Sequence, residues 1–307
     1  MELSDSLEFT GERFTPECQR EIWYEHFQRY ALAARWCANA RTLDAACGEG
    51  YGSALLAGSA TSVEGVDISA EAIAHAGARY GQLEGLNFQT ADCISLPFDD
   101  DEFDRVVSFE TLEHLTGQDQ LLAEFKRVLK ADGCLILSSP DKAVYSDQHD
   151  TSNEYHVKEL YRHELEELIQ RHFPACRLLG QKLMFHSAIW SLDGFDRVTI
   201  DQLESQSLTT PAPISHAISH VISQAPMYFI ALCAADDSYL PDSRGQLWLF
   251  DDKEESVYQH YHGEIKRNMK AGGLLASLEK QVAELKSKTA PDTASDTPWW
   301  RRWFGPR

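Results

Sequence analysis

The side chains with the clearest capacity for chemistry lie between Glu110 and His114, where the sequence is Glu-Thr-Leu-Glu-His. If this segment is helical, its acidic and imidazole groups at positions i, i+3 and i+4 project from one face. Carboxylates and imidazoles grouped in this way bind divalent cations or exchange protons with a hydroxyl group. We therefore predict Glu113 and His114 as catalytic residues, and Glu110, Glu113, His114 and the later His156 as metal ligands.

A second candidate site is the glycine-rich segment from Asp44 to Gly52, with the sequence Asp-Ala-Ala-Cys-Gly-Glu-Gly-Tyr-Gly. Glycines without side chains let a backbone approach a ligand and present its N–H groups. The dinucleotide-binding fingerprint requires its third glycine at the position of Ser53. The spacing therefore favours a nucleoside ligand other than NAD.

Acidic residues follow the next two predicted strands. Asp67 ends the second strand, where a carboxylate accepts hydrogen bonds from both ribose hydroxyls of a nucleoside, and this fits NAD equally well. Two other features discriminate between the ligands. Asp92 offers an acceptor to an adenine amino group, and the Asp-Glu-Phe-Asp turn at 101–104 leads a buried strand to the cleft.

These residues need a scaffold in which short apolar strands alternate with helices, which predicts a parallel sheet. The predicted helices are Ser69 to Tyr80, Asp119 to Lys130 with Gly133 beyond its end, and Lys158 to His172. The fold class is α/β, a doubly wound, Rossmann-like, mostly parallel sheet of seven strands. The predicted strands are Thr42 to Ala45, Ser62 to Val66, Leu86 to Thr90, Phe103 to Phe109, Cys134 to Ser138, Arg177 to Phe185 and Met227 to Ala234.

The remaining segments flank this core. Residues 1–40 are predicted as an N-terminal lid whose helix, Ile22 to Trp36, carries His26, Arg29 and Tyr30. Residues 41–250 form the main domain, in which the Ser-, Thr- and Pro-rich stretch 193–226 is a substrate insertion. Residues 251–286 are helical with a short coiled-coil pattern, and 287–307 are a linker and a tail.

Two features of the C-terminal part predict contacts with partners. Leu275, Leu278, Val282 and Leu285 form an apolar seam on the 274–286 helix, which pairs with a second copy or docks on a partner. The tail Trp299 to Phe304 mixes aromatic rings with arginines, as suits a bilayer interface. The alternative is a disordered tail.

The composition of the chain limits the class of protein to which it can belong. The chain has 307 residues and a formal net charge of -20, which argues against a nucleic-acid substrate. Its seven cysteines are scattered and never spaced as Cys-x-x-Cys, as expected in a reducing cytosol. The N-terminus lacks the pattern of a signal peptide. We expect a cytoplasmic protein, in peripheral contact with the inner face of the membrane if its tail binds lipid.

In these motifs the sequence resembles the class I S-adenosylmethionine-dependent methyltransferases. The resemblance implies that the Gly48 to Gly52 loop holds the methionine end of the donor, Asp67 the ribose, Asp92 the adenine, and Phe109 to Thr111 a wall. The expected cofactor is S-adenosylmethionine. Its predicted site comprises Arg29, Tyr30, Asp44, Ala45, Gly48, Gly50, Tyr51, Gly52, Asp67, Ile68, Ala91, Asp92, Cys93, Phe109 and Glu110.

Within that superfamily, Thr10 to Phe14, His26 to Tyr30 and Asn153 to Leu160 resemble methyltransferases encoded among bacterial polysaccharide and O-antigen genes. This implies a sugar hydroxyl on a lipid-linked glycan as the acceptor. The Glu-x-x-Glu-His pattern with a later His-x-x-Glu resembles the metal site of small-RNA 3′-end O-methyltransferases, and in part that of ubiquinone-pathway O-methyltransferases. This implies a divalent ion, with Mg or Mn favoured by the carboxylates and Zn, Fe or Co left open by the imidazoles.

Several alternatives stay open at this stage. His114 is a metal ligand, a metal-free general base, or a polar residue that caps the strand end. The whole chain is a sugar O-methyltransferase, a small-molecule O-methyltransferase of the quinone type, or a non-catalytic scaffold that retains the fold.

Overall fold

The computed structural model describes residues 21–148, 153–184, 203–204, 215–216, 225–250 and 256–289. The chain divides into two compact units, Met1–Phe250 and Asp251–Arg307. Three predicted features lie wholly or mostly outside the described residues: the Thr10 to Phe14 motif, the substrate insertion at 193–226 and the tail Trp299 to Phe304.

The first unit is built on a seven-stranded sheet with the order β3-β2-β1-β4-β5-β9-β6. The strands from β1 to β5 run parallel, whereas β9 is antiparallel to both β5 and β6. This confirms the predicted doubly wound, mostly parallel α/β fold. The strands are β1 (Arg41–Ala45), β2 (Ser62–Asp67), β3 (Leu86–Thr90), β4 (Phe103–Ser108), β5 (Leu129–Pro140), β6 (Ala175–Gln181) and β9 (Tyr228–Ala234), and a separate antiparallel pair consists of β7 (Leu203–Glu204) and β8 (Ser215–His216).

Helices cover both faces of the sheet, because strands in a parallel sheet are apolar on both sides. Side chains of α1 and α2 pack into one apolar cluster, and those of α4 and α5 into another. The helices of this unit are α1 (Glu21–Trp36), α2 (Tyr51–Ala57), α3 (Ala70–Tyr80), α4 (Gln118–Val128) and α5 (Arg162–Gln170), with single turns at Leu112–His114, Ala143–Asp147 and Asp237–Tyr239.

The boundary between α4 and β5 differs from the prediction. Gly133 was expected just beyond the end of a helix, but it lies inside β5, which begins at Leu129. The reason is tertiary: the N–H groups of Asp101 and Glu102 donate to the last helical carbonyls, and Leu129 pairs with Phe103 across the sheet. The helix therefore passes directly into the strand.

The helix predicted from Lys158 begins only at Arg162. The preceding residues are held in an extended path, because the N–H groups of Val157 and Lys158 both donate to the carbonyl of Glu113. Leu160 also forms a bridge with Asp141. These contacts connect distant parts of the sequence, so helical periodicity could not predict them.

The second unit contains α6 (Ser256–Thr289), a helix of 34 residues. Its predicted seam residues Leu275, Leu278, Val282 and Leu285 are between 47% and 61% exposed. Partner binding through this seam stays a prediction. Among the described residues, no helix combines the length and hydropathy that a bilayer crossing requires.

Candidate active site

The glycine-rich loop joins β1 to α2 at the carboxyl edge of the sheet. Gly48 and Gly50 have φ values of 56° and 88°, a region that L side chains rarely adopt. A Cβ on Gly50 would also lie 2.7 Å from the Cβ of Ala76 and 2.8 Å from the ring of Phe88. The glycine spacing therefore reflects both the backbone conformation of the loop and its close approach to neighbouring elements.

Behind this loop lies a buried pair formed by Tyr30 of α1 and Asp44 of β1. The Tyr30 hydroxyl donates to Asp44 Oδ1 at 3.1 Å, and the Ser53 hydroxyl donates to Asp44 Oδ2 at 2.6 Å. Burial raises the pKa of Asp44 to about 6, despite the hydrogen bonds from Ser53 and Tyr30. The Tyr30 ring packs edge-on against Tyr51 and Phe109. Tyr30 and Asp44 are thus bound to other residues of the protein, and these contacts hold the buried side of the loop in place.

Asp67 joins the loop to the end of β2. Its carboxylate accepts hydrogen bonds from the N–H groups of Gly48, at 2.9 Å, and Ser69, at 2.8 Å. The side chain is only half-buried, and the neighbouring Ile68 is 73% exposed. The structure therefore places the predicted ribose ligand directly beside the loop predicted to hold the methionine end.

The predicted adenine contacts follow β3. Ala91 donates its N–H to the carbonyl of Asp67, which places this segment beside the end of β2. Asp92 is exposed and accepts a hydrogen bond from the N–H of Ile94 at 3.1 Å, whereas Cys93 is buried. The carboxylates of Asp67 and Asp92 thus belong to adjacent strand ends, as the resemblance requires.

Arg29 of α1 is fully buried at the same edge of the sheet. Its Nη1 atom donates to Gln181 Oε1 at 3.0 Å and lies 3.5 Å from Glu110 Oε1. The guanidinium carbon is 4.7 Å from the centre of the Tyr228 ring. Glu110 is held in addition by the Ser138 hydroxyl, which donates to Oε1 at 2.6 Å. Arg29 and Glu110 thus connect the predicted lid helix to β5, β6 and β9.

Glu113 is the most unusual group in the site. The side chain is fully buried, and neither carboxylate oxygen has a hydrogen-bond partner among the described residues. Burial raises the pKa of Glu113 well above its usual range, and repulsion from Glu110 raises it further. A buried carboxylate without partners is energetically costly, which indicates a site prepared for a ligand rather than for stability.

Two histidines face this carboxylate. The ligand atoms of Glu113, His114 and His156 all lie within 4.8 Å of one another, and this group is the one set of potential metal ligands found among the described residues. His156 Nδ1 lies 2.6 Å from Glu159 Oε1, and the other Glu159 oxygen accepts a hydrogen bond from Ser146. His114 Nδ1 lies 3.1 Å from the carbonyl oxygen of Tyr155.

The backbone explains why residues so far apart in sequence meet. The Glu113 carbonyl accepts from the N–H groups of Val157 and Lys158, at 2.8 Å and 2.9 Å. The side-chain amide of Gln118 donates to the carbonyls of Leu112 and Lys158, each at 2.9 Å. These four bonds dock the segment around His156 onto the turn that carries Glu113.

One part of the predicted cluster is wrong in its geometry. Glu110, Glu113 and His114 do not share a helical face, because Glu110 has a φ of 52° and only Leu112–His114 forms a short 3-10 turn. Glu110 instead points toward Arg29 and Ser138 and is not in the group of three ligands.

Several residues of the site were not predicted. Ser138 holds Glu110, Gln181 and Tyr228 hold Arg29, and the Tyr145 ring stacks on His156 at 5.3 Å. Ser138 was recoverable in principle, because it lies near the carboxyl end of a parallel strand, where ligands bind in this fold class. The other three have no local sequence signal.

Comparisons with known proteins identify the family of this chain. The family model described as "Methyltransferase domain" matches residues 43–137. A probable S-adenosylmethionine-dependent methyltransferase of Mycolicibacterium smegmatis is 35% identical over 216 residues, which cover 69% of this chain and 82% of that protein. A protein of Mycobacterium tuberculosis with the same description is 37% identical over 166 residues, which cover 53% and 60%.

A more distant relative is the ubiquinone biosynthesis O-methyltransferase of Glaesserella parasuis, 31% identical over 113 residues, which cover 34% of this chain and 47% of that protein. This match, like the one to the Mycobacterium tuberculosis protein, spans less than two thirds of the relative. The Mycolicibacterium smegmatis match spans most of that protein and extends well beyond the domain model. The chain therefore belongs to the S-adenosylmethionine-dependent methyltransferases.

Proposed function

We propose that this enzyme is an O-methyltransferase that methylates a hydroxyl group of a neutral polyol, and that Glu113, His114 and His156 prepare that hydroxyl for reaction. The observation that carries the proposal is the buried Glu113 carboxylate, which faces two imidazoles and has no hydrogen-bond partner in the part of the chain that the structure describes. A hydroxyl must lose its proton during methyl transfer, and a carboxylate with two histidines is suited to that task.

The hydrogen bonds of the histidines indicate their tautomers. The Tyr155 carbonyl can only accept, so His114 Nδ1 carries the proton when the ring is neutral. The Glu159 carboxylate imposes the same tautomer on His156. A carboxylate behind the remote nitrogen of a histidine is the usual support for a metal-binding imidazole.

These three side chains fit a divalent cation. The cation would relieve the unsatisfied Glu113 carboxylate, and one carboxylate with two imidazoles suits Mn, Fe, Co or Zn, with Mg favoured if substrate oxygens complete the site. A bound divalent ion supplies a lowered pKa for the acceptor hydroxyl. The rival within this proposal is a metal-free site in which His114 accepts the proton itself.

The methyl donor of the family is S-adenosylmethionine, and the loop and strand ends described above fit it. The Gly48 to Gly52 loop offers its backbone to the methionine end, Asp67 its carboxylate to the ribose, and Asp92 to the adenine. In-line transfer from a sulfonium depends mainly on alignment of donor and acceptor. The order of β1, β4 and β5 in the sheet places the donor loop next to the strand ends that carry Glu110 and Glu113.

For the acceptor we propose a vicinal diol on a sugar of a bacterial surface polysaccharide or its lipid-linked precursor. The support is the resemblance of Thr10 to Phe14, His26 to Tyr30 and Asn153 to Leu160 to polysaccharide-associated methyltransferases. Two adjacent hydroxyls would offer a chelate to a metal at Glu113. Three carboxylates near the site, from Glu25, Glu110 and Glu159, disfavour an anionic acceptor.

A second candidate acceptor is a catechol-like quinone precursor, favoured by the similarity to the ubiquinone biosynthesis O-methyltransferase. A catechol also presents two adjacent hydroxyls. Deletion of the gene distinguishes the two candidate acceptors. Loss of a methyl group from the surface polysaccharide supports the sugar, whereas accumulation of an unmethylated quinone precursor supports the catechol. If neither pool changes, both acceptors are rejected.

The role of the cluster is tested on the full chain by calorimetric titration with Mn²⁺, Mg²⁺ and Zn²⁺. We expect binding that Glu113→Gln and His156→Asn abolish, and that Glu159→Gln weakens about 10–100-fold because it acts through His156. His172→Asn is the matched control, since His172 pairs with Asp119 outside the cluster. S-adenosylmethionine binding is measured in parallel and should persist in every variant.

Absence of metal binding, or equal binding in all variants, contradicts the metal proposal. Activity that survives exhaustive chelation and is lost in His114→Asn supports the metal-free base. Because S-adenosylmethionine binding is measured separately, a loss of metal binding at the cluster is distinguished from misfolding of the enzyme.

For partners, we propose that the tail Trp299 to Phe304 brings the enzyme to anionic lipid, and that the α6 seam pairs with a second copy. The support is the Trp and Arg content of the tail and the exposed Leu275, Leu278, Val282 and Leu285. Liposome flotation of the full chain against a chain ending at Ala290 tests the first. Sedimentation of a Leu278→Lys variant tests the second, and an unchanged mass contradicts it.

A further inference from the structure

Two cysteines face each other at the edge of the sheet, away from the active site. Cys176 of β6 and Cys233 of β9 are directly opposite partners in the strand register. Both side chains pack with the same apolar cluster, so they lie on the same face of the sheet. Among the described strands β6 is the last in the sheet order, so this pair lies at an edge of the described sheet.

Cys176 and Cys233 are directly opposite residues of an antiparallel strand pair. In such pairs the Cα atoms are about 4.5 Å apart, or about 5.5 Å apart when the two residues are hydrogen-bonded to each other. Disulfides form between residues whose Cα atoms are about 4.4–6.8 Å apart. The backbone thus needs no rearrangement to allow a bond between the two sulfur atoms.

The two thiols also differ in their environment. Cys176 is half-buried, and a hydrogen bond from the Cys233 thiol lowers its pKa. Cys233 is fully buried, and burial raises the pKa of its thiol. The thiolate is the reactive form of cysteine, so Cys176 is both the more accessible and the more nucleophilic member.

We propose that Cys176 and Cys233 form a dithiol modification site that is oxidised by peroxides to an intramolecular disulfide. The Cys176 thiolate attacks a peroxide oxygen, the O–O bond breaks, and Cys176 becomes a sulfenic acid while the peroxide leaves as water. The Cys233 sulfur then attacks the Cys176 sulfur, the S–O bond breaks, and a second water leaves. Two thiols are oxidised and one peroxide is reduced.

The bond would fasten the edge strand β6 to β9. The active-site ends of these strands carry Gln181 and Tyr228, the two side chains that contact Arg29. The site is therefore placed to influence how firmly the α1 helix is held, through the strands that anchor its arginine.

The test treats the full-length enzyme with hydrogen peroxide and maps its peptides by mass spectrometry without reduction. We expect one linked peptide pair that contains Cys176 and Cys233, a loss of two hydrogen atoms in the intact mass, and reversal by dithiothreitol. Cys176→Ala and Cys233→Ala should each abolish the link. Cys134→Ala is the matched control, because Cys134 is a buried cysteine of β5 that packs in the other apolar cluster.

The link should also raise the melting temperature of the wild-type enzyme relative to its reduced form, because it closes a long loop. The proposal is overturned if peroxide leaves both thiols free, carries Cys176 to a sulfonic acid without a link, or joins other cysteines. Peptide mapping of the wild-type chain decides this even if a variant fails to fold.

Discussion

Replacement of Gly52 by alanine tests whether helix α1 and the glycine-rich loop are packed as one body. A Cβ at Gly52 would overlap three ring carbons of Tyr30, closer than the 3.0 Å that real Cβ atoms keep. Tyr30 cannot easily move aside, because its ring contacts Tyr51 and Phe109 and its hydroxyl is bonded to Asp44. We therefore expect Gly52→Ala to displace α1 from the loop.

The expected change in the free energy of unfolding of Gly52→Ala follows from two opposing effects. Overpacking of a filled core costs about 1–3 kcal/mol, and the severity of this overlap points to the upper end. Alanine recovers about 0.5–1 kcal/mol because it favours a helix over glycine. The net loss is about 2 kcal/mol in the free energy of unfolding, which corresponds to a fall of roughly 4–8 °C in Tm for a domain of this size.

The matched control is Gly77→Ala in α3, where a Cβ would have nothing within 4 Å. The same chemical change should there raise stability by about 0.5–1 kcal/mol. Thermal and urea unfolding measure both variants, and calorimetry measures S-adenosylmethionine affinity, which should fall only for Gly52→Ala. A Tyr30→Leu background should reduce the cost of Gly52→Ala. Equal effects at the two glycines, or no coupling with Tyr30, would refute this account.

Two further predictions concern buried charges. The pKa of Asp44 is raised from 3.8 to about 6 in the folded protein. The contribution of Asp44 to stability is therefore complete below its unfolded-state pKa and is lost as the pH rises through its folded-state pKa. We expect the free energy of unfolding to fall by about 3 kcal/mol between pH 4 and pH 6. Denaturation at each pH should show this slope in the wild type and not in Asp44→Asn, and parallel curves would contradict the shift. Arg29→Met should lower the free energy of unfolding by about 3–5 kcal/mol, because it leaves Glu110 without its buried cation. Adding Glu110→Gln to the Arg29→Met variant should recover part of that loss, because it removes the unpaired charge. If the double variant is as unstable as Arg29→Met alone, the loss is due to packing.

The sequence by itself determined the fold class and the location of the glycine-rich loop. Both depend on local patterns: apolar strands that alternate with helices, and glycines whose spacing is required by a turn with positive φ. The β3 strand was predicted to the residue, from Leu86 to Thr90. The helix predicted from Ser69 to Tyr80 begins at Ala70, and Ser69 is its N-cap, since the Ser69 hydroxyl accepts from the N–H of Ala72.

Only the tertiary structure decided the arrangement of the cluster around Glu113. Periodicity placed Glu110, Glu113 and His114 on one helical face, but the left-handed backbone at Glu110 turns its carboxylate toward Arg29 instead. His156 reaches Glu113 because backbone hydrogen bonds dock the extended segment at Val157 onto the Glu113 carbonyl. Contacts across such sequence distances depend on the packing of whole elements, and no local pattern encodes them. The orphaned Glu113 carboxylate, on which the proposed chemistry rests, is a property of that packing.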